Sequence, residues 1–124
     1  MLISERKLQK LFIKFIEWGK IKKAEKLILL YPNLKIALQK SFERAALNKM
    51  ISGAKWVYEY ANKHGYILDI HFENDKLLNY LILQNCQYFI KWLISLENNY
   101  IWYSKINTET LFHSRKDIIT LFYY

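Results

Sequence analysis

Apolar side chains along the first third of the chain recur every three or four residues. Over 7–18, Leu8, Leu11, Phe12, Phe15 and Ile16 make one face, with Lys7, Lys10, Lys14 and Glu17 on the other. That period is the mark of an amphipathic helix. Gly19 breaks the pattern, as a residue just past a helix end commonly does. From 21 to 31 the pattern resumes, with Ile21, Ala24, Leu27 and Ile28 facing Lys22, Lys23 and Lys26, and Pro32 stops it. The same pairing of helices is expected at 38–48 with 50–61, through Leu38, Phe42, Ala45 and Ala46, then Ile51, Ala54, Trp56, Val57 and Ala61. A third pair, 76–84 with 86–96, uses Leu78, Leu81 and Ile82, then Phe89, Ile90, Leu93 and Leu96. Polar connectors at 33–36, 62–75 and 97–109 separate the pairs and have the length of extended fingers.

The pairs align on one another. Leu11 to Leu27, Ser41 to Val57 and Leu77 to Leu93 superpose without a gap. Phe12, Phe42 and Leu78 coincide, as do Phe15-Ile16, Ala45-Ala46 and Leu81-Ile82, and Leu27, Val57 and Leu93. Trp56 meets Trp92, each preceded by lysine. A fourth register opens at Thr110-Leu111-Phe112-His113. Spacings of about 30–36 residues are those of repeat architectures. A lone hairpin of this size cannot bury its own apolar face, and stacked neighbours supply the cover. Residues 1–124 are therefore expected to form one domain with units near 7–36, 37–72 and 73–107 and a partial unit at 108–124. Its repeat core is expected to be Phe12, Phe42, Leu78, Ala45, Leu27, Val57, Leu93, Trp56 and Trp92.

These units resemble ankyrin repeats, in particular the divergent ankyrin-like repeats of large DNA viruses that infect amoebae. Ser41-Phe42, Ala45-Ala46, Ala54-Lys55-Trp56-Val57, Asp69-Ile70-His71 and Asn74-Asp75 carry the resemblance in the second unit. Gly19, Ala24 and Leu27 carry it in the first, and Lys91-Trp92-Leu93 in the third. Thr110-Leu111-Phe112-His113 is similar to the Thr-Pro-Leu-His that opens an ankyrin helix, with Leu111 in place of proline. At the helix–helix turn the family's glycine is kept as Gly19 alone, and Lys49-Met50 and Asn85-Cys86 stand there later. The resemblance implies an all-α fold, a short solenoid of about three and a half stacked helix-turn-helix units. It also implies a protein-binding scaffold without catalysis, in a viral or intracellular setting.

Composition narrows the picture. Three glycines and one proline are too few for a turn-rich β-sandwich or a glycine-rich phosphate loop. A lone Cys86 excludes an internal disulfide and a cysteine-based zinc site, and fits a reducing compartment. No apolar run approaches the roughly 18 residues of a membrane span, and no signal-peptide core follows Met1, so a soluble intracellular protein without membrane attachment is expected.

The net charge of +8 is lopsided: residues 1–40 carry ten basic and three acidic side chains. This opens a second reading, a polyanion or nucleic-acid binder using Lys7, Lys10, Lys14, Lys22, Lys23 and Lys26.

Catalytic chemistry is thin. His71, Glu73 and Asp75 alternate along a connector in a manner compatible with an oxygen/nitrogen metal site or with a solvated loop, and the loop is the preferred reading. No catalytic residue, metal or cofactor is expected. The aromatic surplus is more telling. Tyr100, Trp102 and Tyr103 fall in the third connector, where they either anchor a partner or fold back over the last unit. Ile118, Ile119, Leu121, Phe122, Tyr123 and Tyr124 form an apolar strip that either tucks back or drives self-association. Another protein is the expected partner.

Overall fold

In a computed structural model, residues 3–97 are described. Over them the chain is all-α, with helices α1 (Glu5–Glu17), α2 (Ile21–Leu30), α3 (Leu38–Leu47), α4 (Ile51–Lys63), α5 (Phe72–Leu83) and α6 (Gln87–Ser95). No described residue is in a strand. The helices fall where the periodicity places them, and the small differences have local causes. α1 begins two residues before the expected start because Ser4 caps it, its hydroxyl accepting from the Lys7 N–H at 3.3 Å. α5 opens with Glu73, Asn74 and Asp75 at φ of 51°, 56° and 60°, a left-handed turn. Its right-handed part therefore starts at Lys76, where the apolar pattern starts.

The three hairpins share one turn. α1, α3 and α5 each end in a residue of positive φ: Gly19 at 72°, Lys49 at 60° and Asn85 at 56°. In each case the N–H of that residue donates to the carbonyl three back (Ile16, Ala46, Ile82). The next N–H donates to the carbonyl five back (Phe15, Ala45, Leu81). This is the Schellman pattern, which satisfies carbonyls left over at a helix end. The following residues, Lys20, Met50 and Cys86, adopt one conformation, near φ −87°, and each accepts the first bond of its second helix.

Glycine enters the left-handed region freely, asparagine with some ease, and lysine at a cost of about 1–2 kcal/mol. Lys49→Gly is therefore expected to stabilise the protein by about 0.5–1 kcal/mol, after subtracting glycine's greater freedom in the unfolded chain. Asn85→Gly should gain less. Urea unfolding of the two variants checks this, and a loss of stability at Lys49→Gly would contradict the turn.

In the structure the chain groups into two compact units, Met1–Asp69 and Ile70–Tyr124. The break falls in the connector between α4 and α5.

In the first unit α1 packs on α2, α3 and α4, α3 packs on α4, and α2 touches α4. Phe12, Ile16, Ala24, Phe42, Ala45, Ala46, Ala54 and Val57 are fully buried, and Leu27 nearly so. Alanines at 45, 46 and 54 leave room for the helices to close on one another. α4 approaches α1 at Gly53, where a Cβ would collide with the Ile16 carbonyl oxygen.

Two glutamines one period apart tie down the loops after the hairpins. Gln9 Nε2 donates to the Lys35 carbonyl at 2.9 Å, and Gln39 Nε2 donates to the Asp69 carbonyl at 2.9 Å. The return bonds come from the Lys35 N–H to Glu5 Oε1 and from the Asp69 N–H to Gln39 Oε1. Asn48 Nδ2 donates to Glu17 Oε1 at 2.8 Å, joining the ends of α1 and α3.

In the second unit α5 pairs with α6. Leu77, Leu78, Leu81, Phe89, Ile90 and Leu93 are fully buried. The equivalent positions of the first two hairpins are buried too, apart from Leu11, Phe15 and Lys23.

Candidate functional site

Three places on the described chain carry side chains in arrangements that packing alone does not require.

The first is a groove of ≈ 370 Å³ between α2 and α4, within the first unit. Glu25, Ile28 and Leu29 form one wall and Trp56, Glu59, Tyr60, Lys63 and His64 the other. Spacing of four residues puts Trp56, Tyr60 and His64 on one stripe of α4. Their rings stack in series, Trp56 on Tyr60 at 5.0 Å and 20°, Tyr60 on His64 at 4.0 Å and 22°. His64 Nδ1–H donates to the Tyr60 carbonyl at 2.9 Å, which fixes the last ring. Trp56, expected in the repeat core, is only half-buried: its ring lies 5.9 Å from Phe12 on the inside and also lines the groove. Trp92 is half-buried too and meets Phe89 edge-on at 5.7 Å.

The second place lies in the second unit. The left-handed turn at 73–75 returns the chain so that Asp75 Oδ1 stands 2.6 Å from His71 Nδ1, while Glu97 Oε2 stands 2.6 Å from Nε2. Asp75 is fully buried. Two acids placed on the two ring nitrogens favour the protonated imidazole, which donates through both. Burial pulls the His71 pKa down, but the hydrogen bonds to Glu97 and Asp75, with the charges of both, outweigh it and raise the pKa above 6.5.

The sequence singled out His71, Glu73 and Asp75 together. The structure joins the first and last but not Glu73, which is exposed and pairs with Lys76 at 3.0 Å. Glu97, 26 residues on, takes its place, and no local pattern marked it. The two carboxylates sit on opposite nitrogens of one ring and cannot share an ion. Among the described residues no group of three or more His, Cys, Asp and Glu side chains forms a metal site.

A folded-state pKa above the unfolded value stabilises the protein fully below about pH 6.5, and the contribution disappears as pH rises through the folded value. Raising the pH from about 6 to about 9 should lower the urea midpoint of the native chain more than that of His71→Gln. Parallel pH profiles would contradict the pairing of His71 with Asp75 and Glu97.

The third place is the outer face of the first hairpin. Lys7, Lys10 and Lys14, expected to contact a partner, are exposed on α1 opposite its core face, with Leu11 among them. Lys22, Lys23 and Lys26 are exposed on α2. Leu29 and Leu30, which helical periodicity does not single out, are 81% and 63% exposed. The signal was present as an apolar run, Leu27 to Tyr31, wider than one helix face can bury.

Tyr100, Trp102 and Tyr103, the partial unit at 108–124 with His113, and the apolar strip from Ile118 to Tyr124 lie outside the described residues.

No family model matches the chain, and no curated protein or solved structure matches it. No described helix is long and apolar enough to cross a membrane.

Proposed function

We propose that the chain is a non-enzymatic scaffold for protein–protein interaction, built as a short solenoid of ankyrin-like helical hairpins. The observation that carries this reading is the recurrence of one turn. Gly19, Lys49 and Asn85 adopt the same left-handed conformation, make the same pair of hydrogen bonds and lead through Lys20, Met50 and Cys86 directly into a second helix, although the residue types differ. Gly65 makes the same bonds at the end of α4 with no helix directly after it. Identical backbone at aligned positions with unlike side chains is what copies of one unit are expected to keep.

Two further features support it. Gln9 and Gln39, one period apart, fasten successive loops in the same way. The resemblance of Ala54-Lys55-Trp56-Val57 and Lys91-Trp92-Leu93 to viral ankyrin-like repeats points the same way. In such an array function resides in the exposed surface. That surface carries apolar side chains such as Leu29 and Leu30, left open to water. In this reading the protein works inside a cell, in the host of a virus or in the virion.

The test is capture from cells that naturally contain the chain, using the folded protein as bait and mass spectrometry as readout. A small set of proteins enriched over a heat-denatured bait is expected. Recovery of no protein above that control would overturn the proposal.

A further inference from the structure

The charge of the molecule is not merely skewed along the sequence; it belongs to one of the two compact units. Residues 1–69 hold fourteen basic and six acidic side chains, a formal +8 that accounts for the whole net charge. Eight of the basic groups lie in the first hairpin, from Arg6 to Lys26, against Glu5, Glu17 and Glu25. Two of those three acids are already engaged, Glu5 by the Lys35 N–H and Glu17 by Asn48. None of the eight basic groups forms an ion pair among the described residues.

The same hairpin concentrates the unburied apolar surface. Of the ten large hydrophobic side chains exposed among the described residues, six are here: Ile3, Leu11, Trp18, Leu29, Leu30 and Tyr31. Ile3, Leu30 and Tyr31 line a groove of ≈ 370 Å³ between the start of α1 and the end of α2, with Leu8 and Leu34 also in its lining and Glu5, its one charged residue, accepting from the Lys35 N–H. Helical spacing puts Lys23 and Lys26 on the stripe of α2 that ends at Leu30. It likewise aligns Lys7, Lys10 and Lys14 along α1.

We infer that this face binds an acidic, amphipathic peptide segment of a protein partner, whose apolar side chains enter the groove while its carboxylates meet the α1 and α2 lysines. The inference rests on the scaffold reading and names the partner's chemistry.

Charge complementarity selects an anionic occupant, and the apolar residues select among anionic ones. Phosphate and sugar leave Leu29, Leu30 and Ile3 uncovered. The hairpin has a single arginine, Arg6, where a nucleic-acid surface favours guanidinium forks. An anionic membrane surface favours a continuous apolar face, but here the continuous faces of α1 and α2 are turned into the core. An amphipathic acidic peptide satisfies both halves of the pattern, an apolar anchor in a groove within a charged rim.

The probe is a labelled peptide of about 15 residues, long enough to be helical, made of glutamate with leucine at helical spacing. It is titrated against the full chain by fluorescence anisotropy. Competitors are the same peptide with alanine for leucine, a single-stranded oligonucleotide, and phosphatidylserine vesicles. The leucine peptide is expected to bind at least about tenfold tighter than the alanine peptide. The combined change Lys7→Glu, Lys10→Glu and Lys14→Glu should weaken it about tenfold or more, and Leu30→Ala several-fold. Lys91→Glu, in the second unit, should leave it nearly unchanged. All these residues are exposed, and circular dichroism verifies that each variant folds.

Equal affinity for the two peptides, or tighter binding of the oligonucleotide or the vesicles, would overturn the inference. If a partner captured from cells stays on the triple-lysine variant, the inference falls and the scaffold reading stands. If no partner is captured at all, both fall.

Discussion

Phe42→Ala is expected to cost about 3–5 kcal/mol, a large part of the stability of a protein this small. Phe42 is fully buried on α3 and aligns in sequence with Phe12, fully buried on α1. Removal of the ring forfeits its transfer energy and leaves a void that the neighbours must close. Closure is restrained, because α1 and α3 are held by their turns, by the Gln9 and Gln39 bonds and by the Asn48–Glu17 link. Urea unfolding followed by far-ultraviolet circular dichroism measures the loss. Leu29→Ala, at a side chain 81% exposed, serves as the comparison and should change stability by no more than about 0.5 kcal/mol. A Phe42→Ala cost under about 1 kcal/mol would mean that this position is not an interior one.

The second large effect is at Gly53, where two terms of opposite sign compete. Within a helix, alanine is preferred to glycine by about 0.8–1 kcal/mol, so Gly53→Ala would ordinarily stabilise α4. Here the new methyl meets the carbonyl oxygen of Ile16, a backbone atom that cannot rotate aside, and α4 must move away from α1. Overpacking of this kind costs typically 1–3 kcal/mol and outweighs the propensity gain, so the variant should be less stable than the native chain. Gly65→Ala separates this effect from backbone strain: a Cβ there meets nothing within 4 Å, but φ is +72°. It should lose about 1–2 kcal/mol from conformation alone. A neutral or stabilising Gly53→Ala would remove the close approach of α4 to α1 from the account.

The element pattern was legible because these helices bury one face each. The residues that repeat at 3.6 intervals (Phe12 with Ile16, Phe42 with Ala46, Leu78 with Ile82) are the ones buried to about 1% or less. Gly19 announced its turn by residue type. Lys49 and Asn85 did not, and only their place in the alignment pointed to the same turn.

Four features stayed out of reach for physical reasons. The Ser4 cap depends on a single side-chain bond outside any apolar period. The His71–Glu97 contact joins residues 26 apart, and it forms because the chain turns left-handed over three non-glycine residues, which no propensity favours. Leu29 and Leu30 read as helix formers in an apolar run, and periodicity says which face a residue occupies, not whether anything covers that face. The divided role of Trp56, part interior and part groove wall, was hidden for the same reason.

Backbone nuclear magnetic resonance at Gly19, Lys49 and Asn85 tests the repeated hairpin most directly. Scalar couplings and nuclear Overhauser effects should give positive φ at all three. The amides of Lys20, Met50 and Cys86, which bond five residues back, should be slow to exchange. Right-handed or extended backbone at Lys49 or Asn85, with those amides open to solvent, would show that the three helix pairs are not copies of one unit.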